Sequence, residues 1–269
     1  MLRILLLVAA WAVAGTACAR LCAAAVAAAG PAARRARRPL RRPELTLHEA
    51  AFLSGGPGRV MDVTLVGMHR RRALLLAHTG WATVVDADTD DVLERSVIRA
   101  IGPAGHQART DAVRRAAGSA DAVRAIADRL TGAGLAVPDA ARIRSAAAVR
   151  GVRAAAVAVP ALTVAALALP GGEGPAGSAI LPWFGLPLLL TLSALLIGRI
   201  EVRPYLDWAS PEGRLALSGP ITAPDDAERG RLTALAVGGP DTLDDPLLRR
   251  ALDGGRQGRA IYRTAHRGH

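Results

Sequence analysis

Over three stretches of this chain the apolar residues run without the polar interruptions that mark a half-buried helix or strand. The longest uncharged run, residues 174–198, would span roughly 37 Å as a helix, more than the ~30 Å hydrocarbon core of a bilayer. Between residues 186 and 197 its only polar side chains are Thr191 and Ser193, so it lacks the polar stripe of a soluble core helix. Residues 152–170 form a second run. Its one charge, Arg153, stands at the start, where a long side chain can snorkel, and Pro160 removes a backbone hydrogen bond near the middle. A Gly/Pro-rich loop joins the two, so residues 151–200 predict a transmembrane helical hairpin. The third run, residues 4–19, is interrupted by Arg20 and continues as an Ala-rich segment to Ala33. Residues 1–33 predict a transmembrane anchor, followed by a polybasic juxtamembrane linker over residues 34–42.

Helical and strand periods appear in residues 43–141. Thr46 and Glu49 have the spacing of a capping box, which predicts a short helix over residues 47–53 ending at Ser54-Gly55-Gly56. Pro57 opens a second helix in which Met61, Leu65 and Met68 recur on one face and Arg70, Arg71 and Arg72 sit at the negative end of the dipole. Residues 73–77 and 81–85 then read as a β-hairpin around His78-Thr79-Gly80. Two helices followed by a hairpin predict a winged-helix-like soluble domain. Three further helices follow, capped by Asp90 or Asp91, by Thr110 and by Ser119, with a short strand at residues 135–137. The shared order of helix, turn and strand at residues 68–76 and 130–137 suggests a degenerate duplication. In the tail, residues 204–269, Pro224 with Asp225-Asp226 opens a helix bearing Leu232, Leu235 and Ala236. Asp244 or Asp245 with Pro246 opens another over residues 247–252, and from Gly254 onward the composition is that of a disordered end. These short helices could dock on the domain or on the membrane surface. The fold class is mainly α: an integral membrane protein with three transmembrane helices and a small winged-helix-like domain.

The run from Leu45 to Val60, with its E-A-A-x-L-x-G-G-P-x-R-V core, and the arginine-rich turn before Ala73-Leu74-Leu75 resemble an uncharacterised family of membrane proteins from high-GC Gram-positive bacteria. The resemblance covers residues 43–203. It implies a layout of amino-terminal apolar segment, small domain, membrane-helix pair and variable tail, and it implies no activity. Where members of that family often have Gly before the strand's leucine, this chain has Arg72-Ala73.

Charge adds orientation. Arg142, Arg144, Arg150 and Arg153 precede the hairpin and Arg199 and Arg203 follow it, whereas residues 171–179 contain Glu173 and no arginine. Arg34, Arg35, Arg37, Arg38, Arg41 and Arg42 follow the first apolar run. The positive-inside rule then places the amino terminus outside and the domain and tail in the cytoplasm, with these arginines at the inner leaflet of the cell membrane. A cleaved signal peptide ending at Ala17-Cys18-Ala19 is the competing reading; six arginines just downstream resist translocation and favour an uncleaved anchor.

The net charge of +11 does not by itself indicate nucleic acid, because the chain has no Lys and no Asn and its composition is that of a GC-rich genome. Its two cysteines, Cys18 and Cys22, lie in the first apolar run, which leaves the soluble parts without a disulfide framework or cysteine metal site. Asp86, Asp88 and Asp90 begin like a calcium loop but continue with Asp91 at the sixth position and Val97 at the twelfth. His48-Glu49 lacks the second histidine of a zincin, Phe52 standing in its place. Gly55-Gly56-Pro57-Gly58 follows no strand and reads as an interhelical turn. With no nucleophile elbow and no paired acid and base, the expectation is a non-enzyme without cofactor or metal. Its partners are then the lipid bilayer and an unidentified protein. The alternative is a membrane-tethered DNA-binding regulator, which would have to read DNA with the helix at residues 58–71, where basic side chains gather at the wrong end.

Overall fold

The computed structural model describes residues 2–35, 44–168, 180–197, 208–222 and 226–253. The chain is mainly helical with a small amount of sheet. In order come α1 (Leu2–Arg35), β1 (Leu45–Thr46), α2 (Leu47–Arg70), β2 (Leu74–Ala77), β3 (Trp81–Val84) and α3 (Val92–Ile101). Then follow β4 (Gln107–Arg109), α4 (Thr110–Gly118), α5 (Asp121–Ala133), α6 (Asp139–Ala168) and α7 (Ile180–Ile197). The tail supplies α8 (Pro211–Ala216), β5 (Ile221–Thr222), α9 (Asp226–Gly238), a 3-10 turn at Pro240–Thr242 and α10 over residues 246–253. These elements form two units, Met1–Pro39 with Val137–Asp207, and Leu40–Ala136 with Trp208–His269.

The second unit is built around α2. The predicted capping box is present: the Glu49 amide donates to Thr46 Oγ1 (3.3 Å), and the Thr46 amide donates to Glu49 Oε2 (2.9 Å). The two helices expected on either side of Gly56 run on as one kinked element, with Gly56 at φ 68°, ψ −160° marking the kink and Pro57 beginning the second half. Every residue from Val60 to Val66 is buried. A helix covered on all sides must be packed by several elements, and here they are α3, α4, α5, β1, β2 and α9.

The β-hairpin pairs in antiparallel register, Leu74 with Val84 and Ala77 with Trp81, as its alternation predicts. A winged-helix arrangement is not shown. The hairpin gains a third strand, β4, which the sequence reading missed because the three residues Gln107-Ala108-Arg109 are too few to show a period; Trp81 pairs with Arg109 across it. Residues 135–137, expected as a short strand, make an isolated antiparallel bridge, Ala136 to Ala209. Asp91 caps α3 as expected, its Oδ1 accepting from the Leu93 amide at 2.7 Å. The N-caps of α4 and α5 are Arg109 and Ala120, each one residue from the expected caps Thr110 and Ser119, and neither makes a side-chain cap bond.

The tail completes this unit. Strand β5 lies parallel to β1, Leu45 beside Ile221 and Thr46 beside Thr222. Leu235 and Ala236 of α9 are fully buried in the same core as α2, joined by Leu248 and Leu252 of α10. Trp208 meets Phe52 edge to face at 5.3 Å and covers Gly56, where an added Cβ would lie 2.0 Å from Trp208 Cε2. Arg59 donates to the Leu235 carbonyl (3.0 Å). Where the chain leaves this unit and where it returns are tied together: the Ser210 amide donates to the Leu135 carbonyl (2.8 Å) and its hydroxyl to the Gly134 carbonyl (2.7 Å). Gly213 sits so close that a Cβ there would lie 2.1 Å from the Leu135 oxygen.

In the first unit α1, α6 and α7 each pack on the other two. Buried positions on α1 are Ala10, Ala14, Ala17, Leu21 and Ala24, and on α6 they include Ala148, Val152, Ala155, Val159 and Ala166, alternating in steps of three, four or seven. On α7 the buried set is Pro187, Thr191 and Ala194. This 3.5-residue repeat of mostly small side chains lets helices approach closely. The Thr191 hydroxyl is satisfied inside its own helix, donating to the Leu188 carbonyl at 3.1 Å.

Two expectations are revised by the structure. Among the described residues two helices, not three, are long and apolar enough to cross a membrane, Ile4–Ala24 and Asp139–Ala166; Gly185–Leu196 is a shorter apolar helix. The 18 residues of α7 rise only about 27 Å, and residues 174–179 lie outside the described residues. Helix α6 starts at Asp139 instead of residue 152 and continues through Pro160, so residues 142–150 belong to the helix. The end of the tail, from residue 254, also lies outside the described residues.

Gly56 holds a backbone conformation open essentially to glycine alone, against an indole ring. Gly56→Ala is expected to cost about 3 kcal/mol or more, combining backbone strain with overpacking. A thermal melt of the purified chain checks this as a large fall in Tm, whereas Gly67→Ala, which meets no atom within 4 Å, should leave Tm unchanged or raised.

Candidate functional site

The end of α2 and the tail enclose a cleft of about 760 Å³ within the second unit. One side is made by His69, Arg70, Arg72, Leu75 and Val85, the other by Arg231, Thr242, Asp244, Asp245 and Leu248. Its placement follows from the way α2 stops. The Ala73 amide bonds the Met68 carbonyl (3.0 Å) and the Arg72 amide bonds the His69 carbonyl (3.0 Å), a Schellman turn whose left-handed position is normally glycine. Arg72 occupies it at φ 61°, the one non-glycine residue with positive φ among those described. Arg71 beside it turns away to pair with Glu94, which also accepts from the Thr89 hydroxyl (2.7 Å).

Nδ1 of His69 lies 3.1 Å from the Leu74 carbonyl and 3.3 Å from the Leu76 amide, so either tautomer is engaged by the free edge of β2. Asp245 is engaged too, its Oδ1 accepting from the Leu247 amide (2.8 Å) at the start of α10. Arg72 and Arg231 make no ion pair or side-chain hydrogen bond among the described residues, and both are exposed. The cleft therefore offers a guanidinium donor on each side, Arg72 from the end of α2 and Arg231 from the tail, with a carboxylate and a hydroxyl beside Arg231 and aliphatic walls. That set binds and orients.

Other polar groups are structural. Asp62, 1% exposed in the middle of α2, takes a two-pronged ion pair from Arg114 of α4, with Nε and Nη2 each 2.9 Å from an oxygen. Arg114 also donates to the Leu252 carbonyl in α10 (3.2 Å), tying three elements through one guanidinium. Glu49 adds an ion pair to Arg129 (3.1 Å) to its capping bond. Half-buried His48 has a pKa held below the ordinary 6.5: loss of hydration outweighs the opposing pull of Asp91 and Glu94. Asp86, from the calcium-like pattern, accepts from the Asp88 amide (3.0 Å) and shapes the loop ahead of α3.

The chain matches no family model, no curated protein and no solved structure.

Function must then be read from the geometry. Of the membrane-flanking arginines, Arg150 and Arg153 lie on the exposed face of α6, and Arg34 and Arg35 end α1. Arg37, Arg38, Arg41, Arg42, Arg199 and Arg203 lie outside the described residues, as does the loop at 171–179. Sequence reasoning missed the cleft, since Arg72 and Arg231 are 159 positions apart. The one signal was the arginine at a helix stop where glycine fits better. The motif E-A-A-x-L-x-G-G-P-x-R-V turns out to be largely the seat of the tail: Gly56 meets Trp208, Arg59 bonds Leu235, and Ala51, Leu53 and Val60 line the shared core.

Removing Arg114 leaves a buried, uncompensated carboxylate. Arg114→Ala is expected to cost about 3–5 kcal/mol, whereas Arg115→Ala, which loses an exposed i,i+4 pair, should cost under about 0.5 kcal/mol; chemical denaturation of both variants measures the contrast. His48 sets a pH response. Its contribution is fully present above the unfolded-state pKa of 6.5 and is lost as pH falls from there through the lower folded-state value, because the unfolded chain binds the proton first. Tm recorded between pH 7.5 and 5 should fall in the native chain, with a visibly shallower slope in His48→Gln.

Proposed function

We infer that the protein is a membrane-anchored module whose folded domain works by binding a protein partner at the cytoplasmic face of the cell membrane. The observation that carries this reading is the inverted packing of the first unit. Its interior is mostly alanine and its exterior is large and apolar: Leu5, Val8, Trp11, Val157, Leu189 and Leu192 are all exposed. Only 22% of each spanning window of α1 and α6 is buried, which is the reverse of a core helix in a soluble protein. Such a surface is favourable in hydrocarbon, where small residues at the helix contacts give close packing, and costly in water. Residues 137–207 leave and return to the folded unit at one clamp, Ala136 and Ala209, which supports an even number of crossings with both halves of the domain on one side. The arginine distribution supports that side being the cytoplasm.

Protein binding is favoured over DNA reading because α2, the helix that would have to enter a groove, is buried from Val60 to Val66. Catalysis has no support from the cleft, whose histidine and one aspartate are engaged by backbone.

Alkaline carbonate should leave the full chain in the membrane pellet. In a background with Cys18 and Cys22 replaced by Ser, an impermeant thiol reagent applied to intact cells should label Ala176→Cys and spare Ala104→Cys until the cells are opened. Release by carbonate, or labelling of Ala104→Cys from outside, would reject the anchored topology.

A further inference from the structure

We propose that the cleft between the end of α2 and the tail binds a phosphate ester bearing hydroxyl groups, with Arg72 and Arg231 holding the phosphate. The cleft lies wholly within the folded unit, so this does not depend on how the apolar helices meet a membrane. Three observations converge. The volume, about 760 Å³, suits a small organic molecule and exceeds what a lone ion needs. Two guanidiniums from distant parts of the chain face it without an ion-pair partner among the described residues, and forked donors of this kind match phosphate oxygens in pairs. A phosphate ester, with two non-bridging oxygens in a diester or three in a monoester and at least one negative charge, can accept from both guanidiniums.

The backbone at Arg72 is the third observation. A left-handed residue with a Cβ carries backbone strain that glycine would avoid, and the strained residue is one of those lining the cleft. Strain kept at such a point marks a side chain with work to do.

The tail side of the cleft narrows the ligand. Thr242 spends its proton on the Gly239 carbonyl (2.6 Å), so its oxygen can only accept, and Asp244 also accepts. Those groups suit hydroxyls on the ligand and would repel a second phosphate. Leu75, Val85 and Leu248 give its carbon skeleton an apolar wall. Glycerol 3-phosphate has this chemistry as a soluble ester, and phosphatidylglycerol presents it as a lipid headgroup.

Calorimetric titration of the full chain in phosphatidylcholine nanodiscs with glycerol 3-phosphate tests the proposal, with glycerol as the control lacking phosphate. Saturable binding of the phosphate ester alone is expected, weakened about tenfold or more by Arg72→Gly and by Arg231→Ala. Arg72→Gly should at the same time melt at a higher temperature, which separates lost binding from lost fold. Binding that disappears when the discs contain phosphatidylglycerol assigns the site to the lipid headgroup, and binding that persists there assigns it to a soluble ester. Absence of binding in phosphatidylcholine discs, or binding that both variants retain unchanged, overturns the proposal.

Discussion

The seating of the tail on α2 is the constraint on which the folded unit depends. A helix buried along Val60 to Val66 has no solvent face, and the elements that precede residue 137 do not cover it alone. Leu235 and Ala236 close one side, Trp208 closes the kink at Gly56, and Arg114 reaches from Asp62 to the Leu252 carbonyl. Each buried leucine of the tail contributes roughly 1.5–3 kcal/mol of burial. Asp62 at the seam is paired with Arg114, so that closing it does not strand that charge. The unit is therefore discontinuous in sequence: it opens after Ala136 and resumes at Trp208.

That discontinuity links packing to placement. The segment between the two halves consists of apolar helices whose contacts are made by alanine and whose exteriors carry leucine, valine and tryptophan. In water the hydrophobic effect would select the opposite arrangement. In hydrocarbon leucine gains nothing from facing another helix, so close backbone approach decides the seam. The clamp of Ser210 on Gly134 and Leu135 holds the two ends of this excursion together whatever the helices cross.

Much of this was legible locally. The capping box at Thr46, the stop at Gly56, the hairpin at residues 74–84 and the Asp91 and Asp245 caps depend on neighbours within a few residues, and the chain carries those signals plainly. Strand β4 was not legible, because Gln107-Ala108-Arg109 is a strand only through its pairing with β3. The start of α6 at Asp139 was obscured by its arginines, which break the apolar run without breaking the helix. The cleft was invisible, since Arg72 comes from the end of α2 while Arg231, Thr242 and Asp244 come from the tail.

By itself the sequence determined most of the helical stretches, the runs that are apolar throughout and the caps at Thr46, Asp91 and Asp245, because these follow from side-chain chemistry at spacings of two to seven residues. Tertiary structure decided that the tail is part of the domain, that the Gly-Gly-Pro motif is a seat for Trp208, and that Arg72 and Arg231 share a cleft. Those facts turn on contacts between residues more than a hundred positions apart, and only the closing of the chain on itself selects which of many possible pairs meet.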